Sequence, residues 1–122
     1  MKYVNNLTRY QFLDKIYNYE LNPNDWIYLG NMPSMVVFHT ENDKFCKELK
    51  PGLEILAKKN RGKYYVYSVD TVEEPDMATI FNIGKIPTIY LCPLKGDPTI
   101  FRDTISIKEL SEKAKKILLP EY

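Results

Sequence analysis

The alternation of strand-like and helix-like segments predicts an α/β fold: a central mixed sheet of four to five strands flanked by helices on both faces. Three observations carry that expectation. Met35-Val36-Val37-Phe38 is a continuous apolar run of the kind found in a strand buried on both sides. Three more segments, Tyr64 to Val69, Thr88 to Cys92 and Thr99 to Arg102, are rich in β-branched and aromatic residues. Between and around them lie stretches of helical periodicity with recognisable starts and stops.

The elements follow in order. A first strand is expected near Tyr3-Val4. Thr8 and Gln11 then fit a capping box, and Leu7 with Phe12 fits a hydrophobic staple, so a helix begins here with Phe12, Leu13, Ile16 and Tyr17 on its apolar face. It fades before Asn22-Pro23-Asn24, and Trp26 to Leu29 reads as an extended piece inside a loop. After the Met35 to Phe38 strand, a long helix is expected from about Asp43 to Asn60. Pro51 lies inside it and removes one hydrogen bond, and Arg61-Gly62 closes it. Glu73-Glu74-Pro75-Asp76 opens a shorter helix. Lys95-Gly96-Asp97 turns the last two strands into a hairpin. Ser106 and Glu109 cap a final helix carrying Leu110, Ala114, Ile117 and Leu118. Strands separated by helices imply right-handed parallel crossovers, with the antiparallel hairpin at the end.

At 122 residues the chain is read as one domain, 1–122, with an N-terminal helix and loop over 1–34 and a core over 35–122. The net charge of +1 gives no reason to expect a nucleic acid or an anionic membrane as partner. No apolar run approaches a membrane span, and no apolar signal-peptide core opens the sequence, so a cytoplasmic location is expected. Two cysteines, Cys46 and Cys92, do not make a disulfide framework.

Two segments resemble the thioredoxin family. The first runs from Phe38 to Pro51, a strand, a loop and a helix whose junction in the family carries two cysteines flanking two residues. The second is Phe81-Asn82-Ile83-Gly84-Lys85-Ile86-Pro87-Thr88, similar to the family's Ile-Pro-Thr signature with its cis proline. Asp70 at a strand end, Pro51 in a helix and the Lys95-Gly96 turn also fit. The resemblance implies a thioredoxin-like fold over nearly the whole chain. The departures cluster at one place. The family's Trp-Cys-Gly-Pro-Cys run reads Asn42-Asp43-Lys44-Phe45-Cys46, so Asp43 replaces the nucleophilic cysteine and Cys46 keeps the second position. Val37 takes the place of a buried aspartate that assists proton transfer. His39 stands where an aromatic is usual, and Asp103 where a glycine lines the substrate groove.

A carboxylate cannot form a mixed disulfide. A helix N-terminus does stabilise one, and Asp is among the best N-caps, so capping alone accounts for Asp43. Cys46 is then either an inert buried thiol or a single thiol that captures a partner cysteine, and nearby Asp43 charge would raise its pKa. Cys92 lies five residues beyond Pro87, roughly 16 Å along an extended strand, which is too far for a bridge to Cys46. His39, Asp43 and Cys46 could converge, yet the chain has no second histidine and falls short of a four-ligand zinc set, so no metal is expected. No cofactor is expected either.

The functional expectation is a thioredoxin-like protein whose dithiol exchange is impaired or absent. It binds extended peptide or protein segments beside the family's cis proline, as an added strand would. The expected groove comprises Asn42, Phe45, Ile86, Pro87, Thr88, Arg102 and Asp103, with catalysis, if retained, resting on Cys46. A monothiol disulfide oxidoreductase or isomerase acting through Cys46 is the alternative, and an unused structural domain a third. The partner protein is unspecified, and a monomer is expected.

Overall fold

The computed structural model describes residues 2–120. Five strands and four helices follow one another as β1 (Asn5–Asn6), α1 (Arg9–Lys15), β2 (Ser34–His39), α2 (Lys44–Lys59), β3 (Tyr65–Asp70), α3 (Pro75–Ile80), β4 (Thr88–Cys92), β5 (Thr99–Phe101) and α4 (Ile107–Leu118). The sheet order is β1-β3-β2-β4-β5, which puts the apolar run of β2 at the centre. β1 and β2 both lie parallel to β3, whereas β4 is antiparallel to β2 and to β5.

The period of two along each strand sorts side chains into two cores. Met35, Val37, Val66, Ile89 and Leu91 face α2 and α4, where Leu49, Leu53, Leu56, Leu110 and Leu118 meet them. Val36, Phe38, Tyr67, Val69 and Tyr90 face the other way, onto Phe12, Ile16, Tyr17 and Tyr19 and onto Met77 of α3. Full burial of one such side chain contributes about 1.5–3 kcal/mol. The helix starts are built as their sequences suggest. Thr8 and Gln11 form both bonds of a capping box, and Ser106 accepts from the Glu109 amide.

Two expectations need correcting. The first strand is Asn5–Asn6, not Tyr3-Val4. The Tyr3 and Val4 amides instead donate to Glu54 Oε1 on α2, and their side chains pack at the edge of the aliphatic core. Two polar residues thus make the ladder, because the apolar pair before them is drawn off by a carboxylate and a core edge. The second correction concerns β4. A helix separates it from β3, yet it enters the sheet antiparallel to β2, so the parallel crossovers are those from β1 to β2 and from β2 to β3, and the connection through α3 is not one.

Candidate functional site at the end of the central strands

Register brings the expected site residues to one end of the sheet. His39 at the end of β2 is opposite Asp70 at the end of β3, and Phe38 is opposite Thr88 at the start of β4. Ile89 is paired with Phe101, so the residues after β5 lie near those before β4. The loop 40–43, the turn after Asp70, the Ile86-Pro87 peptide and Arg102-Asp103 therefore share one rim.

Asp43 is the N-cap of α2. Its backbone is extended (φ −79°, ψ 132°), and its carboxylate accepts from the Cys46 amide at 3.0 Å. That bond satisfies one of the donors a helix leaves free at its start. Cys46 is buried, at 7% exposure. Burial pushes its thiol up to about 11; a bond with the Thr40 backbone opposes the rise, and the Asp43 carboxylate adds to it. Little thiolate exists at neutral pH, and the thiolate is the reactive form. Cys92 is fully buried at the far end of β4, paired in register with Ser34, and burial raises it to about 12. Both thiols are free.

Cys46 borders two cavities. One, of about 350 Å³, lies between the sheet and α2 and has Val37, Leu49 and Leu53 together with His39, Asp70 and Cys46 in its wall. The other, of about 320 Å³, is bounded by residues 39–42 with Cys46, Lys47 and Lys50. Val37, at the position where the resemblance places a proton-transfer aspartate, is buried and aliphatic. Of the carboxylates in the wall of the first cavity, Glu41, Glu54, Asp70 and Glu73, the buried one is Asp70, from the neighbouring strand. It is buried and accepts from the Val72 amide at 2.8 Å and the Glu73 amide at 3.3 Å. Burial lowers the pKa of His39, and Asp70 only partly offsets this. A neutral imidazole beside a neutral thiol is a poor starting point for an ion-paired nucleophile. His39 and Cys46 share both cavities, but Asp43 lines neither, so the three-residue convergence is incomplete. Among the described residues no cluster of His, Cys, Asp and Glu is arranged to hold a metal.

The groove residues divide. Asn42 is exposed, Phe45 is half exposed and Ile86 is partly buried. The Ile86-Pro87 peptide is cis. Pro87 and Thr88 are buried, and the Thr88 hydroxyl donates to the Lys85 carbonyl. Thr88 is therefore a turn-closing residue, and its side chain is not available to a ligand. Arg102 donates to the Asn82 carbonyl at 3.1 Å, which ties β5 to the loop before β4. Asp103 bonds the Thr104 amide and lies 3.9 Å from Lys85 Nζ, both side chains being exposed. Such a pair contributes little to stability. One residue escaped the sequence reading. Val72, on the turn after Asp70, is 70% exposed on the same rim. An apolar residue two positions beyond a strand-ending Asp was the available signal.

With this geometry the family pattern described as Thioredoxin matches residues 21–116. The chain belongs to the thioredoxin family. It is 29% identical over 116 residues to a protein named Thioredoxin from Borreliella burgdorferi, covering 95% of this chain and 94% of that one. It is 36% identical over 73 residues to the chloroplastic thioredoxin M-type of Spinacia oleracea, covering 57% of this chain and 40% of the relative. The fold is that of solved structures. Chloroplastic thioredoxin z superposes with a TM-score of 0.74 at 20% identity, over 96% of this chain and 95% of that one. A chain described as a malarial protein gives 0.66 at 22% identity, over 73% and 100%. Thioredoxin fold and thioredoxin family thus agree, and no helix among the described residues is long and apolar enough to cross a membrane.

Proposed function

We propose that this thioredoxin-family chain has a degenerate active site, with dithiol exchange lost or strongly impaired, and binds extended protein segments on the rim beside Ile86-Pro87. The observation that carries the reading is the Asp43 carboxylate, bonded to the Cys46 amide at the helix position where the family resemblance places the attacking sulfur. Cys46 has no neighbouring cysteine with which to form a disulfide, and its buried, protonated thiol argues against a monothiol enzyme. The apolar surface left at the rim is Phe45, Val72 and part of Ile86. The backbone beside the proline is the proposed edge on which an extended strand pairs, with these apolar residues on the same rim. The chloroplastic thioredoxin z structure is described as defining a type-specific target recognition. Target recognition by this rim without thiol chemistry is the corresponding role here.

Thiol-dependent reduction of insulin tests the redox half. The parent protein is expected to run at the uncatalysed rate, and Asp43→Cys to exceed it by at least about tenfold, since the thiol, unlike the carboxylate, can attack a disulfide. A parent rate well above background, abolished by Cys46→Ser, overturns this half in favour of the monothiol alternative. Titration with thiol-free extended peptides tests the binding half. Phe45→Ala should weaken binding by about tenfold if Phe45 is an anchor. Binding indifferent to Phe45→Ala removes the proposed surface.

A further inference from the structure

We propose that the cavity between the sheet and α2 is a binding site for a small, uncharged, mainly apolar molecule carrying one hydroxyl, of the size of a phenol or naphthol. This is separate from the rim described above, because none of Ile86, Pro87, Arg102 and Asp103 lines the cavity. Its volume of about 350 Å³ lies within the range of small-molecule sites, and its wall sets an apolar surface from Val4, Val37, Leu49 and Leu53 among polar and charged side chains.

The hydrogen-bonding inventory of the wall sets the occupant's polarity. Asp70 is engaged by the Val72 and Glu73 amides, and Glu54 by the Tyr3 and Val4 amides. Asn6 Oδ1 accepts from Ser68. His39 Nε2, in contrast, is buried without a partner among the described residues. A buried polar atom left unpaired costs free energy comparable to a lost hydrogen bond. Because Nε2 holds no bond, a turn of the ring toward the cavity breaks none there. A hydroxyl both donates and accepts, so it can satisfy Nε2 in either tautomer. The ionisable groups in the wall are Lys2 and Lys50 against Glu41, Glu54, Asp70 and Glu73. This excess of carboxylates disfavours an anion, and because Glu54 and Asp70 already accept from backbone amides, the unpaired His39 Nε2 is what selects a hydroxyl.

His39 is the single histidine of the chain, so its ring protons give one unambiguous set of NMR signals. Titration with 2-naphthol should shift them saturably with Kd below about 1 mM. Ring protons of the probe should show NOEs to Val37 and Leu53 methyls. His39→Phe should weaken binding about 3- to 10-fold, the loss of one hydrogen bond. Leu53→Trp, verified as folded by its amide spectrum, should abolish it. Absence of a saturable shift overturns the proposal, as do NOEs to Phe12 or Tyr90 on the opposite face. Unchanged affinity in His39→Phe also overturns it. Should Leu53→Trp fail to fold, the NOE pattern of the parent decides alone.

Discussion

The two faces of the sheet are packed by different chemistry. Against α1 and α3, aromatic rings interlock: Phe12, Tyr19, Phe38, Phe81 and Tyr90 meet with centroids 5.2–6.4 Å apart, mostly tilted or edge-on. Against α2 and α4 the core is mainly aliphatic, with Tyr64 the one aromatic among its described buried residues, and Val37 leaves space beneath the helix capped by Asp43. Here the rings fill their layer, whereas the aliphatic layer leaves the cavity lined by Val37, Leu49 and Leu53. The cavities that Cys46 borders lie on the aliphatic side.

That contrast can be broken by mutation. Phe12→Ala removes a ring from the interlocked layer and should cost about 3–5 kcal/mol, whereas Leu53→Ala, beside existing space, should sit near the low end at about 2 kcal/mol. Chemical denaturation of both variants checks this, and the reverse order would mean that the aliphatic face is the better packed one. Gly52 marks the place where that face is tight. A Cβ there would overlap the Ile107 side chain of α4, so Gly52→Ala should destabilise by about 1–3 kcal/mol despite the helix preference for Ala. A stabilised variant in thermal melts would show that α4 gives way easily.

Smaller effects refine the site end of the same face. Asp43→Ala should lose the cap and about 0.5–2 kcal/mol, and Asp43→Asn should keep most of it. Equal losses in denaturation curves would show that charge matters more than the hydrogen bond. The smallest expected effect is pH-dependent. His39 has a folded pKa below its ordinary 6.5, so the unfolded chain binds the proton more readily. Stability from this group is full above about 6.5 and falls as the pH drops from there toward the folded value. Comparing the pH dependence of stability with that of His39→Phe isolates the term, and coincident curves between pH 7 and 5 would remove it.

The fold was largely legible because its signals are local. Thr8-Gln11, Asp43 and Ser106 announce helix starts through side chains that reach only three residues, and Thr88–Cys92 reads as a strand from composition alone. The failures are non-local. Tyr3-Val4 looked like a strand because nothing nearby reveals that Glu54, some fifty positions on, takes their amides. The direction of β4 is set by packing in the whole sheet. Asp43 and Cys46 could be placed from the family pattern. The burial of Thr88, the engagement of Arg102 with Asn82 and the cavity beneath Val37 depend on distances that spacing does not encode.

The attachment of the N-terminal segment has a consequence for synthesis. β1 has no partner until β3 exists, since Asn5 pairs with Tyr67 and Asn6 with Ser68, and the Leu7 amide donates to Ser68. Even the earlier tie of Tyr3 and Val4 awaits Glu54. As the chain leaves the ribosome, Asn5 and Asn6 are thus held in waiting until Tyr67 and Ser68, some sixty positions on, have emerged. They join the sheet as its outermost strand, after the central β2–β3 pair that they border has become possible.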